Sequence, residues 1–414
     1  MKIVHVMSGN LSGGAARGTY WLHQALIRLG ADSKILFNGT APYTDDRLIK
    51  IGKTQGQQFL NRLSNRLGEW PKNFYQTNNT QQQFDNGLGG ARYQQSEIYR
   101  QADLINLHHI NGVVSVPSLR TIRKPLVWTL RSMWPLTGGC HYSFDCNKYQ
   151  SSCSACPQLG SGSAYDLSRL NTAVKRASYP AHLQLVGVSD WISDCARSSA
   201  LLTTFPIRTI YNGIDTSAFE AVEREVAIRS LELSPQPHYL LAIAQNFENR
   251  YKGFESLKKA LHHLNRENCH LLLVGNVSGQ QLIDLDFPHT SFGIVSDLSM
   301  LRTIYSAATI HVAPNRMETF GKTLAEAMAC GTPVVCFDAT GPREIVEHKI
   351  SGYRARPYDP AALAEGINWI LDLSQQVYDT MTKRARQQAA ERFDSMIVGK
   401  QYLDLYQSIL NHGI

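Results

Sequence analysis

The stretch Asn315-Arg-Met-Glu-Thr-Phe-Gly-Lys-Thr-Leu-Ala-Glu-Ala-Met-Ala-Cys-Gly-Thr-Pro-Val-Val-Cys336 decides the reading of this chain. It predicts a loop, a helix and a strand in quick succession. Leu324 to Cys330 is rich in Ala, Leu and Met, which favour helix. Gly331 follows, at the place where a glycine commonly ends a helix. Thr332 to Phe337 is short, apolar and partly β-branched, the pattern of a buried strand. A helix starting near Thr319 to Lys322 presents unpaired N–H groups and its positive dipole end, which together form an anion site. Glu318 stands just before that helix and Glu326 inside it. Carboxylate oxygens only accept hydrogen bonds, so beside bound phosphate they suit the hydroxyls of a sugar or ribose. Most glutamates are solvated surface charges. The flanking Thr-Phe-Gly and Ala-Cys-Gly-Thr-Pro-Val-Val make this pair more specific than its spacing alone.

The segment from Glu318 to Val335, with Gly341-Pro-Arg-Glu-Ile-Val346 and Ser351-Gly-Tyr353 after it, closely resembles the donor-binding segment of retaining glycosyltransferases of family 4, of the bacterial polysaccharide-biosynthesis type. The resemblance implies an α/β GT-B fold: two Rossmann-like doubly wound domains facing a cleft, with a C-terminal helix crossing back to the first. It implies that Glu318 orients hydroxyls of the donor sugar. Phe320, Gly321, Lys322 and Thr323 would lie along the donor phosphates and sugar, and Glu326 would hold the ribose.

The length of 414 residues allows two or three domains. A hydrophobic content of 43% and a charged content of 18% describe a folded globular chain. The net charge of +7 suits anionic ligands or an anionic membrane face, and no basic run or aromatic motif points to nucleic acid. No apolar run reaches membrane-spanning length, and the apolar part of the N-terminus is too short for a signal peptide. These features predict a cytoplasmic protein, peripheral at most at the inner face of the membrane. Its eight cysteines are then expected to be reduced unless they bind metal.

Ile3 to Met7 reads as a first strand, Ser8 to Arg17 as a small-residue loop, and Tyr20, Leu22, Ala25, Leu26 and Leu29 recur at helical spacing. Strand, glycine loop and helix open a Rossmann-like unit, although the glycine spacing is not the dinucleotide fingerprint. The family resemblance places Gly13 and Gly14 against the donor phosphates. Phe59, Leu63 and Leu67, with Arg62, Arg66, Trp70 and Lys72, predict an amphipathic helix whose apolar face packs on the core or a partner, or meets acceptor or membrane. Ala102 to His108 and Pro125 to Leu130 read as strands, with His108 and His109 at the carboxyl end, where open α/β sheets bind ligands. Thr129 to Tyr142 resembles a segment of the family in which Thr-Leu precedes a histidine that contacts the donor sugar; here Arg131 takes that place. A guanidinium there would bind a hydroxyl or phosphate.

Cys140, Cys146, Cys153 and Cys156 fall within seventeen residues and include one Cys-x-x-Cys. In a reducing compartment they read as a closed, structural zinc site, with free thiols or disulfides as alternatives. Asn212-Gly-Ile-Asp215, with Phe219, matches the start of the family's second domain, and Pro235 and Pro237 precede a fresh strand. The predicted domains are 1–212 on the acceptor side, with 393–414 returning to it, and 213–392 for the donor. The second half alternates strands with helices, which predicts a parallel doubly wound sheet. Arg250 and Lys252 follow its first strand. In the family a Lys-Gly here and an arginine, usually nearer Gln245 or Asn246, clamp the donor diphosphate. Such cations would stabilise a leaving diphosphate without a metal.

The expected activity is metal-independent transfer, with retention, of a hexosyl or N-acetylhexosaminyl group. The donor would be a UDP- or GDP-linked sugar and the acceptor a saccharide or lipid-linked saccharide in cell-surface polysaccharide synthesis. No catalytic cofactor is expected. A nucleotide-sugar epimerase and an inactive sugar- or nucleotide-binding scaffold are the competing readings.

Overall fold

Strands buried on both faces read as continuous apolar runs, and here they build two sheets, each parallel throughout. The first holds β1 (Lys2–Met7), β2 (Asp32–Phe37), β3 (Leu48–Lys50), β4 (Leu104–Leu107), β5 (Leu126–Leu130), β6 (Leu183–Gly187) and β7 (Ile207–Thr209), in the order 3-2-1-4-5-6-7. The second holds β8 (His238–Asn246), β9 (Cys269–Asn276), β10 (His289–Ser291), β11 (Ile310–Ala313), β12 (Val334–Phe337) and β13 (Gly352–Ala355), in the order 10-9-8-11-12-13. The computed structural model describes residues 1–11, 13–52, 54–75, 83–234, 238–264 and 268–412. Pro235 and Pro237, read from sequence as turn signals, lie outside the described residues.

The chain divides into two compact units, Met1–Gly213 with Val398–Ile414, and Ile214–Ile397. In the first, the helix Gly14–Arg28 buries Trp21, Leu22, Ala25 and Leu26. Ile3, Leu104, Val127 and Val186 of the sheet share a core with Leu22 and Leu26 and with Val398, Tyr402 and Tyr406 of the C-terminal helix. Gly399 lets that helix approach closely, since a Cβ there would stand 2.7 Å from the Ala25 methyl. In the second, Leu240, Ala242, Leu271, Leu273, Val312 and Val335 of the strands pack with Leu257, Leu261, Leu363 and Ile367 of the covering helices.

The return to the first unit begins at Val398, five residues beyond the predicted 393. Phe393 is fully buried within the second unit, edge-to-face on Phe320 at 5.4 Å between centroids. Such a pair contributes about 0.5–1.5 kcal/mol beyond area burial. The C-terminal part of the chain forms two helices, Gln375–Phe393 and Ser395–His412. Asp394 separates them with extended backbone. Its carboxylate accepts from the Met396 N–H at 2.8 Å and from the Thr216 hydroxyl.

Each sheet reverses its strand order once, between β1 and β4 and between β8 and β11. In open α/β sheets the crevice beyond the carboxyl ends of such a strand pair is where ligands bind. Every candidate residue outside the cysteine cluster follows or lies near one of these four strands.

Candidate functional site

In the second unit, β8 leads into the turn Arg250–Lys252 and β11 leads into the loop Pro314–Phe320. The two are fastened together by backbone. The Arg316 N–H donates to the Tyr251 carbonyl at 2.9 Å. Gly253, at φ +74°, ends the turn, and a Cβ there would fall 1.8 Å from the Pro314 carbonyl oxygen. Only glycine allows this left-handed backbone and this approach together. The Gly341 N–H donates to the Glu318 carbonyl at 3.0 Å and holds the loop from the other side.

That fastening brings Lys252 and Glu318 together across 66 residues of sequence, Nζ to Oε2 at 2.7 Å, with 18% of each side chain exposed. Asn315 Nδ2 donates to the same carboxylate oxygen at 3.3 Å. Burial opposes the charge on Lys252. The Glu318 carboxylate outweighs it and holds the lysine pKa above its ordinary value. Arg250 lies on the same turn and is exposed.

The helix Lys322–Ala329 starts after Gly321, whose φ of +110° admits few other residues. Its N-terminal N–H groups receive no side-chain cap. Glu326, one turn in, is 1% exposed. The Tyr305 hydroxyl donates to its Oε2 at 2.8 Å, and Lys322 Nζ stands 3.2 Å from Oε1. Phe320 is buried against Phe393, so its side chain is core and only its backbone can face a ligand. Thr323 meets His311, whose Nδ1 must donate to the Leu241 carbonyl at 3.1 Å, because a carbonyl only accepts. His311 Nε2 then accepts from the Thr323 hydroxyl at 3.3 Å. Burial pushes the His311 pKa down to about 4 and keeps the ring neutral. Tyr305, His311 and Asn315 were missed from sequence. Tyr305 and His311 come from other elements, and no spacing rule connects them to the glutamates, whereas Asn315 stands three residues before Glu318 in the same loop.

In the first unit, Gly13 precedes the helix Gly14–Arg28 with extended backbone, and its terminus also has no side-chain cap. A Cβ on Gly14 would meet nothing within 4 Å, so packing does not require glycine there. Arg131 is 8% exposed. Its guanidinium donates to Asn212 Oδ1, and from Nε to His108 Nδ1 at 3.4 Å. Gly18 makes room for it: a Cβ there would be 2.9 Å from Arg131 Nη1. A guanidinium has only donors, so His108 Nδ1 accepts and its proton sits on Nε2. Nε2 therefore donates to His5 Nδ1 at 2.9 Å. Burial, then the neighbouring charges, push His5 and His108 well below the ordinary histidine pKa. Asn106 and Thr129 extend the network to Tyr406 and Tyr402. Asn212 is another residue that sequence reasoning missed as a site partner. Arg131 thus sits inside a buried polar network whose contacts are made by the chain itself.

Cys140, Cys146, Cys153 and Cys156 are free thiols that line one small cavity. Among the described residues no three His, Cys, Asp or Glu side chains already stand at metal-ligand spacing. No described helix is long and apolar enough to cross a membrane.

Two doubly wound parallel sheets, each with a polar cluster at its switch point, define a GT-B protein. Residues 224–388, which lie within the second unit, match the family described as glycosyl transferases group 1. D-inositol 3-phosphate glycosyltransferase 1 of Catenulispora acidiphila is 32% identical over 183 residues, covering 40% of this chain and 43% of that protein. Alpha-maltose-1-phosphate synthase of Mycobacterium tuberculosis is 28% identical over 272 residues, covering 61% of this chain and 68% of that protein. Among the first curated relatives the chain spans 43%, 54% and 68% of their own lengths. Among solved structures, sucrose-phosphate synthase from Thermosynechococcus elongatus shares the fold over 100% of both chains, with a TM-score of 0.71 at 20% identity.

Proposed function

We propose that this chain is a glycosyltransferase that takes its sugar from a nucleotide diphosphate sugar held by the second unit. The Lys252–Glu318 pair, fixed at the switch point of the second sheet, carries the reading. A diphosphate at the uncapped start of Lys322–Ala329 meets backbone N–H groups and the positive dipole end. It competes with Glu318 for the Lys252 ammonium. The lysine then neutralises charge on the departing diphosphate, with Arg250 on the same turn as a second cation. Glu318 is left to accept hydrogen bonds from sugar hydroxyls. Glu326, with one oxygen already bonded to Tyr305, presents the other toward the ribose. Two cations and a helix start are suited to the work that a divalent ion does in other folds, so the transfer proceeds without a catalytic metal. The first unit takes the acceptor, a saccharide or lipid-linked saccharide, and the anomeric configuration is retained. The transferred group is a hexosyl or N-acetylhexosaminyl residue.

The helix Gln55–Glu69 favours the lipid-linked form of the acceptor. Phe59, Leu67 and the following Phe74 are 64%, 64% and 70% exposed, with Arg62 and Arg66 on the same helix. Apolar side chains beside cations suit the surface of an anionic bilayer. On this reading the protein works at the inner face of the membrane.

The test is calorimetric titration with UDP, GDP and their common sugar conjugates, on the wild type and on Glu326→Ala. One base is expected to bind, and the variant to bind it at least 10-fold more weakly. If no nucleotide binds at millimolar concentration, the donor assignment fails and the scaffold reading replaces it. NMR of the first-formed product then distinguishes retention from inversion. Release of a free sugar with a changed ring centre would instead mark an epimerase.

A further inference from the structure

We propose that Cys140, Cys146, Cys153 and Cys156 bind one zinc ion that closes the 137–160 loop region of the first unit. All four thiols line a single cavity of about 20 Å3, which is room for one water-sized particle. Metal-bound thiolates need donors on sulfur, and backbone supplies one here. The Gly138 N–H donates to Cys153 Sγ at 3.2 Å. Second-sphere donors of this kind orient ligands and stabilise their charged form.

The Cys-x-x-Cys turn is also built at a conformational cost. Ala155, inside it, has φ +42°, which disfavours any residue with a Cβ. Lys148 holds the turn, donating from Nζ to the Ser154 and Ala155 carbonyls at 3.1 and 2.8 Å. The Ala155 N–H is fixed to the Ser163 carbonyl at 2.8 Å. Strain persists where surrounding structure over-determines it, and it gathers at functional positions.

Charge gives a separate argument. Lys175 is 1% exposed and donates to the Trp134 and Thr137 carbonyls, not to a carboxylate. It lies close enough to Cys140 and Cys153 to interact with them electrostatically. Binding converts four thiols and Zn2+ into a tetrathiolate of charge −2 and releases four protons to solvent. The Lys148 and Lys175 ammoniums offset that charge, and the thiolates add to the counter-charge that Asp85 gives the buried Lys175. The thiols do not yet stand at metal-ligand spacing and must turn inward to reach the bonding distance of about 2.3 Å.

The test is metal content by plasma mass spectrometry on the full chain purified without chelator. About one zinc per chain is expected. The content should fall below 0.1 in Cys153→Ser/Cys156→Ser and stay near one in Cys330→Ala, whose thiol belongs to the second unit. Cobalt-exchanged protein should show the visible bands and sulfur-to-metal charge transfer of a tetrahedral thiolate site. A metal-free wild type whose four cluster thiols all react with a thiol reagent in the native state overturns the proposal. So does zinc that survives the double substitution. If the double variant does not fold, Cys146→Ser and the wild-type measurements still decide.

Discussion

Lys252 and Glu318 are both ordinary in type and become unusual only through each other. An ammonium that loses most of its water needs a counter-ion, and the Glu318 carboxylate supplies it until a phosphate can. On the proposed mechanism Lys252→Ala lowers kcat/KM for sugar transfer by about 10²–10³, the effect of removing one preorganised charge stabiliser. Steady-state kinetics with a fixed acceptor check this, and an unchanged kcat/KM would remove Lys252 from the mechanism. Arg131 behaves differently. It is committed to His108 and Asn212, so Arg131→Met leaves the buried His108 acceptor and the half-buried Asn212 acceptor without their donor and costs about 1–3 kcal/mol of stability. Denaturant unfolding reads that loss. A variant of full stability with lost activity would show that Arg131 meets the substrate instead.

At the scale of elements, the site depends on a turn and a loop locked by backbone. Gly253→Ala puts a methyl 1.8 Å from the Pro314 carbonyl, in a left-handed conformation that costs roughly 1–2 kcal/mol by itself. The turn must move, and Lys252 moves with it. Donor affinity is expected to fall at least 10-fold by calorimetry while circular dichroism stays native. The helix Gln55–Glu69 makes a separate prediction. Its Thr54–Gln57 capping box secures its start, and its apolar face is left open to solvent. The triple variant Phe59→Ser, Leu67→Ser, Phe74→Ser should lose at least 10-fold in co-sedimentation with phosphatidylglycerol vesicles and keep its melting temperature. Equal binding by wild type and variant would end the membrane reading. From sequence this helix was legible as amphipathic, but periodicity does not say whether an apolar face is covered or left exposed. The edge strands β3 and β10 were not legible, because three residues are too few to show a period.

For the molecule as a whole, buried neutral histidines set the response to acid. His23, His109 and His311 are held to about 4, and His5 and His108 well below the ordinary histidine value, chiefly by burial. Well above the unfolded value of 6.5 both states are neutral and stability does not depend on these groups. Below it the unfolded chain takes up protons that the folded chain refuses, so stability falls as pH falls from 6.5 to about 4. Each such histidine contributes a slope of up to about 1.4 kcal/mol per pH unit in that window. Urea midpoints at pH 7.5, 6.5 and 5.5 should therefore fall slightly across the first step and about three times as far across the second. A flat profile would mean that these rings find partners for their protonated form.

The local content of the chain was determined by its sequence. Apolar runs dictated the central strands and Gly331 the end of the helix after Glu326, and the residues around Glu318 lie in the segment 224–388 that matches a family model. These depend on neighbours a few positions apart, which is the range over which composition and spacing speak. Tertiary structure alone decided that Lys252 finds Glu318, that Tyr305 holds Glu326, that Phe320 is core and that Arg131 is enclosed by His108 and Asn212. Those contacts join residues tens of positions apart. They are set by strand order, by glycines that admit close backbone approach and by the burial that follows, none of which a linear pattern encodes.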